Sequence, residues 1–230
     1  MGVTAVLLPL LISLGGGLVF LALRLHKASL ARQKRRAGFF DLVTPHMKRL
    51  RRQITPCGFP RVSGEIQGVE TDLQVIPDTL TWRKLPTLWL LVTQPCALPL
   101  SQRIHLMIRP RGAEAFSAFH DLAFQTRPGE GLPYDAGLRS EQPLSPEEAA
   151  LLRRHSYLFE DPRLKELIIA PEGVRLSWMA DEANRARYLI FREAEMGETP
   201  LSPEDLAPLL AGLAALRDDI LTTASERKCA

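Results

Sequence analysis

Residues 3–23 form an apolar run without one charge, in which Thr4 and Ser13 are the only polar side chains. At a rise of about 1.5 Å per residue a helix of that run covers roughly 31 Å, against a bilayer hydrocarbon core of about 30 Å. Thr and Ser hydroxyls bond back to helix carbonyls at little cost. Pro9 lies early in the run, where neighbouring groups take up the carbonyl it frees. A soluble helix this long would carry a polar face. The pattern therefore predicts a membrane anchor over 1–24. A cleaved signal peptide needs a basic start, an apolar core of about 7–15 residues and a small-residue cleavage site. This run has no Lys or Arg before it, and residues 24–27 offer no A-x-A pattern. Ser13, Gly15, Gly16 and Gly17 make a small-residue patch that permits close helix approach. Glycine is common in membrane helices in any case, so a homodimer is permitted rather than indicated.

After the run, Phe39, Val43, Met47, Leu50 and Ile54 recur at helical spacing, with Lys48, Arg49, Arg51 and Arg52 elsewhere on the turn. This predicts a basic juxtamembrane amphipathic helix over 25–55. Its apolar stripe meets either the membrane surface or the domain that follows.

Residues 56–225 suffice for one domain with its own core, followed by a tail over 226–230. The continuous apolar stretch 88–92 predicts a strand buried on both faces. Val174, Leu176 and Trp178 alternate with Arg175 and Ser177, and Ile104, Leu106 and Ile108 alternate in the same way, as in strands wet on one side. The stretches 122–126, 164–170 and 187–193 are further strand candidates. Residues 62–76 read as a hairpin turning near Gln67 and Gly68, and 170–174 as a tight antiparallel connection.

Two helices are marked. Ser145-Pro146-Glu147-Glu148 is a capping box. Ser202-Pro203-Glu204-Asp205 opens the second. Pro208 deep in that helix would remove a backbone bond, so either the regular helix starts at Asp205, with Pro208 in the first turn, or it kinks there. Leu206, Leu209, Leu213, Leu216 and Ile220 follow at a/d spacing. The stripe is shorter than the three or four heptads of a coiled coil, which predicts a helix laid across the domain's own sheet. The fold class is α+β: one N-terminal transmembrane helix, then a mostly antiparallel sheet covered by helices.

Charge adds direction. Residues 24–52 hold ten basic side chains, Arg24, Lys27, Arg32, Lys34, Arg35, Arg36, Lys48, Arg49, Arg51 and Arg52, against the single acid Asp41. That local charge of +9 in a chain of net +3 leaves the remainder at −6. The positive-inside bias places the domain in the cytoplasm and the N-terminus outside, as in a bacterial inner membrane. A mitochondrial inner membrane with the domain in the matrix satisfies the same argument. Each basic group near an anionic leaflet contributes up to about 1 kcal/mol, so the ten are candidate contacts to anionic lipid head groups. An acidic domain argues against nucleic acid as a partner. Cys57, Cys96 and Cys229 are odd in number and lack motif spacing, which predicts free thiols in a reducing compartment.

Candidate chemistry is sparse. The chain contains no G-x-S-x-G, no P-loop and no G-x-G-x-x-G. Its five His, at 26, 46, 105, 120 and 155, are isolated from one another, so neither a metal pattern nor a cofactor is expected. His120 and Asp121 are adjacent, which in a turn leaves both exposed. His105 alternates with Ile104 and Leu106 and is expected to line the polar face of a sheet. The loop holding Trp82, Arg83 and Lys84 is the candidate partner contact, because Trp and Arg are favoured interface anchors. These features predict a non-enzymatic, single-pass membrane protein whose domain binds a protein partner or helps assemble a membrane complex. Two alternatives stand beside it: a module binding a lipid or amphiphile between sheet and helix, and an enzyme whose site is assembled from scattered residues.

Overall fold

The computed structural model describes residues 3–79, 85–112, 114–191 and 194–229. Its first element, α1 (Val3–Ala37), is one 35-residue helix. By length and composition it is a candidate membrane span, and its apolar window beyond Leu14 is exposed throughout. Its last turn carries Lys34, Arg35 and Arg36, cations that suit the free carbonyls there.

The chain then departs from the expected amphipathic helix over 25–55. Helix ends at Ala37, a turn leads through a short 3-10 segment (Thr44–His46), and β1 (Lys48–Ile54) follows as a strand. The helical spacing of the apolar residues had a different cause. Phe39, Val43 and Met47 enter the domain core together with Phe40, whereas Leu50 and Ile54 stay exposed. The core thus reaches back to Phe39, ahead of the expected boundary at 56. All seven positions of β1 are exposed, and its pairing with the next strand shifts register between Lys48 and Arg51, where Arg49 takes a φ of 52°. Four basic side chains on an exposed edge strand guard it against unwanted pairing.

The remaining strands are β2 (Pro60–Ile66), β3 (Val69–Asp78), β4 (Thr87–Pro95), β5 (Ile104–Ile108), β6 (Phe124–Thr126), β7 (Ala136–Ser140), β8 (Leu164–Ala170) and β9 (Gly173–Glu182). They form one sheet in the order β1-β2-β3-β4-β9-β8-β5-β7-β6, with every neighbouring pair antiparallel. The β2–β3 hairpin turns at Gln67 and Gly68, both left-handed at φ 52° and 82°, as a two-residue turn requires. The β8–β9 hairpin turns at Pro171 and Glu172, as expected. Gly173 there has φ 142°, and a Cβ would strike the backbone carbonyl of Gln94.

Residues directly opposite in an antiparallel pair share a face. One face carries Leu73, Leu88, Leu90, Val92, Leu106, Leu167, Leu176 and Trp178, all buried in the main core. Helix α4 (Pro203–Cys229) packs on β9 and β4. Its a/d stripe, Leu206, Leu209, Leu213, Leu216 and Ile220, is buried in that core. Burial of each such side chain contributes roughly 1.5–3 kcal/mol. The opposite face carries Trp89, Leu91 and Met107, which meet Phe116 and Phe119 from the 109–123 connection.

Helix α2 (Pro146–Arg154) has the full capping box between Ser145 and Glu148. Helix α3 (Arg185–Phe191) stands where a strand was expected over 187–193, of which residues 192 and 193 lie outside the described residues. Asn184 initiates it: its Oδ1 accepts from the Arg187 amide at 3.1 Å, and its carbonyl from the Tyr188 amide at 2.9 Å. In α4 the cap is Ser202 rather than Asp205. The Ser202 hydroxyl accepts from the Asp205 amide at 3.1 Å, and Pro203 is the first helical residue. Pro208 therefore lies inside the helix and removes the bond to the Glu204 carbonyl, which an exposed first turn tolerates by hydration.

Candidate functional site

The ten basic residues divide between two elements. Arg24, Lys27, Arg32, Lys34, Arg35 and Arg36 lie on α1; Lys48, Arg49, Arg51 and Arg52 lie on the edge strand β1. Several are tied to the domain. Arg36 donates to the Cys57 carbonyl at 3.3 Å and covers the Phe59 ring at 5.4 Å. Arg35 lies 3.7 Å from Glu198. Arg49 pairs with Glu65 at 2.7 Å, and Arg52 donates to Asp41 at 2.9 Å and to the Ala37 carbonyl. The end of α1 is thereby fastened to the domain by side chains from three separate segments. Trp82, Arg83 and Lys84 lie outside the described residues.

A groove of about 730 Å³ runs between α4 and the β2–β3 hairpin, next to the connection that leaves α1. Val43, Ile66, Leu206 and Leu210 give it an apolar wall, with Gln94 and Arg217 as polar members. Gln94 is buried, and its Oε1 has no hydrogen-bond partner within the protein. The volume is in the range of ligand-binding clefts.

The second sheet face holds a buried polar cluster. His105 on β5 and Glu166 on β8 are 2% and 0% exposed, and His105 Nδ1 lies 2.9 Å from Glu166 Oε1. Ser117 donates to the same oxygen, and Ser177 donates to Glu166 Oε2 at 3.3 Å. An ionised carboxylate only accepts, so Nδ1 carries the proton in this pair and Nε2 is the other functional nitrogen. Nε2 is buried and has no partner within the protein. Ser117 bonds the carboxylate rather than the imidazole, so the cluster is not a nucleophile–base pair of the serine-hydrolase kind. His105 lies on the sheet face expected from its alternation, but that face is closed off here. Glu166 was the missed member. Its signal was an acid set directly before the apolar run Leu167–Ala170 on one strand, because a carboxylate buried there needs partners.

His120 and Asp121 are exposed in a 3-10 turn. Cys57 and Cys96 are free thiols, and burial pushes the Cys96 thiol up, with Arg217 opposing. Among the described residues, no three His, Cys, Asp or Glu side chains are placed to hold a metal ion. Comparison with protein-family models, with curated proteins and with solved structures finds no match.

Proposed function

We propose that the chain is a single-pass membrane protein whose domain lies on the cytoplasmic face and binds a protein partner, helping to assemble a membrane complex. The observation that carries this reading is the continuity of α1. Its exposed apolar part passes without a break into a basic end that Arg35 and Arg36 fasten to Glu198, Cys57 and Phe59. An anchor built this way holds the domain at a set distance and orientation from the bilayer, as an assembly subunit needs. The basic residues of α1 lie next to the anionic leaflet, which leaves the domain surface turned away from the membrane to meet a partner. Two fusions test the orientation. A reporter active only outside the cytoplasm, placed after Ala230, is expected to be silent, and a cytoplasmic reporter at the same place to be active. Crosslinking in native membranes followed by mild detergent extraction tests the partner; recovery of the chain alone contradicts the reading.

A second reading rests on the 730 Å³ groove beside α4, which suits an amphiphile entering from the membrane side. Native mass spectrometry of the extracted chain is expected to show a retained lipid if this reading holds. A bare mass at every detergent concentration contradicts it.

A further inference from the structure

Helix α4 has two sides. Its leucine stripe is buried in the core, whereas Ala207 and Ala211 are exposed and Leu210 and Ala214 half-buried along the groove, across from the β2–β3 hairpin. The α4 residues that line the groove run from Pro203 to Arg217, which at about 1.5 Å per residue makes it about 21 Å long. Its 730 Å³ spread over that length gives a cross-section of about 35 Å². A helix with its side chains is about 10–12 Å across, or roughly 80–110 Å². A strand needs about 4.8 Å by 10 Å, close to 48 Å². The groove is too narrow for either and suits one acyl chain. A bilayer core of about 30 Å holds two leaflets, so a single chain covers about 15 Å and leaves space at one end for a polar head.

The two ends of the groove differ. At Pro203 it adjoins the exit of α1: the Leu201 amide donates to the Phe39 carbonyl at 2.8 Å, and Val43 lines the groove beside it. Strand β4 runs alongside α4 in the same direction. Leu88 at its start meets Gly197 ahead of α4, and Cys96 just past its end has a thiol that burial pushes up and Arg217 opposes. Gln94 therefore belongs with Arg217 at the far end. It follows Leu88, Leu90 and Val92 onto the α4 face and is 2% exposed, yet its side chain makes no hydrogen bond among the described residues. Oε1 is enclosed, and Nε2 is the end left for a group lying in the groove. A buried amide without a partner is costly, so a ligand that accepts from it gains. No Asp or Glu lines the groove among the described residues, and Arg217 and His46 are its basic members. Arg217 donates Nε and Nη2 to Asp218 Oδ1 at 3.0 and 2.9 Å, an exposed pair between neighbours that contributes little. The head group that complements this end is an anion.

We propose that the groove binds a free fatty acid, with its chain along Ala214, Ala211 and Ala207 towards α1 and its carboxylate accepting from Arg217 and from Gln94 Nε2. This rests on the amphiphile reading of the groove and adds to it the number of chains, the charge of the head and its direction. The chain covers apolar surface that α4 otherwise leaves in water. The carboxylate satisfies the Gln94 amide and the Nη1 side of the Arg217 guanidinium through charge-assisted bonds. The tail then ends at Pro203, the part of the groove nearest the membrane anchor.

The test is photolabelling of the full chain in nanodiscs with palmitic acid that carries a diazirine at mid-chain, the labelled positions being mapped by mass spectrometry. Labelling is expected on Ala207, Leu210 or Ala211, and unlabelled palmitate is expected to compete for it. Ala211→Trp fills the groove from an exposed position and is expected to reduce that labelling at least about tenfold, the effect of losing most of the buried chain. Ala215→Trp, also exposed on α4 but outside the groove, is expected to leave it unchanged. Circular dichroism checks folding, and Ala207→Phe replaces Ala211→Trp should that variant fail to fold. Arg217→Gln is expected to raise the concentration for half-labelling about tenfold, the scale of a lost hydrogen bond to a charged group. Labelling confined to α1, labelling that the groove-filling variant leaves unchanged, or half-labelling that Arg217→Gln does not shift overturns the proposal. Native mass spectrometry separates this outcome from the broader reading. A two-chain lipid retained by the wild type and lost in Ala211→Trp overturns the fatty acid and keeps the amphiphile reading; a bare mass together with no groove labelling overturns both.

Discussion

The guanidinium of Arg163 lies face-on over the Trp178 ring, 3.7 Å from its centroid. The same ring donates from Nε1 to Asp161 at 2.7 Å, and Arg163 donates to the carbonyls of Met179 and Ala180 at 3.0 and 3.1 Å. Arg163 also lies 3.5 Å from Asp205 in the first turn of α4. One arginine thus ties together the turn before β8, strand β9 and the start of α4. Lysine cannot reproduce this, because it lacks the planar fork that stacks and donates at once. Arg163→Lys is expected to destabilise the domain by about 1–2 kcal/mol, from the lost stacking and carbonyl bonds. Denaturant titration read by tryptophan fluorescence measures it; a change below about 0.5 kcal/mol, typical of a plain surface site, counts against the role.

Gly64 marks where the edge strand crosses its neighbour. A Cβ there would lie 2.6 Å from the Lys48 carbonyl oxygen and 3.3 Å from the Leu50 Cα, both backbone atoms of β1. Gly64→Ala should therefore loosen β1 from β2 while leaving the centre of the sheet intact. Hydrogen exchange is expected to accelerate over 48–54 and to stay unchanged over 88–92. Equal acceleration in both places would show that the close approach is not local.

Leu213 on α4 is completely buried within the domain's own core. Leu213→Ala is expected to cost about 2–5 kcal/mol, the range for a large-to-small change in a packed interior. The loss should be the same across a wide span of protein concentration, since the stripe faces the sheet and not a second chain. A melting temperature that rises with concentration in the wild type would return the stripe to a dimer contact.

Asp219 on α4 receives Arg154 at 2.9 Å and the His155 Nε2 at 2.9 Å. The Arg154 bond holds its carboxyl below the usual carboxylate range, burial opposes this, and His155 adds to the lowering. A carboxylate with a folded pKa below its unfolded one stabilises the fold above the unfolded value of about 3.9, and that contribution is lost as pH falls through the folded value. Asp219→Asn is expected to melt below the wild type at neutral pH, with the gap closing only in acid below about pH 4. Thermal melts of both proteins from neutral pH down to pH 2 check this; a gap that persists undiminished at the acid end assigns the effect to packing instead.

Much of the strand pattern was legible from alternation and turn chemistry. The apolar block in β4, the alternation in β9 and β5, the Gln67-Gly68 turn and the 170–174 connection all rest on residues within a few positions of one another, which is the range over which periodicity speaks. The same range explains the misreadings. Phe39, Val43 and Met47 have helical spacing because they fill one core from a turn and a short 3-10 segment, and nothing local separates that from a helix face. Residues 187–193 have strand composition, but the Asn184 cap starts a helix just before them. β7 is only five residues long, with Gly137 between Ala136 and Leu138, too short and too weakly patterned for alternation to show.

The buried pair was out of reach for a different reason. His105 and Glu166 are 61 positions apart and meet only because β5 and β8 are neighbours in the sheet. Arg175 and Thr93 join the same row through β9 and β4, two further non-local pairings.

The sequence by itself determined the candidate span, the charge division between a basic segment and an acidic domain, the α+β class and most of the strands, because hydrophobic period and charge count are properties of short stretches. Tertiary structure decided that the second half of the basic segment is an edge strand, that the leucine stripe of α4 belongs to the core, and that His105 meets Glu166 in the interior of the second sheet face. Those outcomes depend on which strands become neighbours, a choice set by burial and backbone pairing across the whole sheet and by no local pattern in the chain.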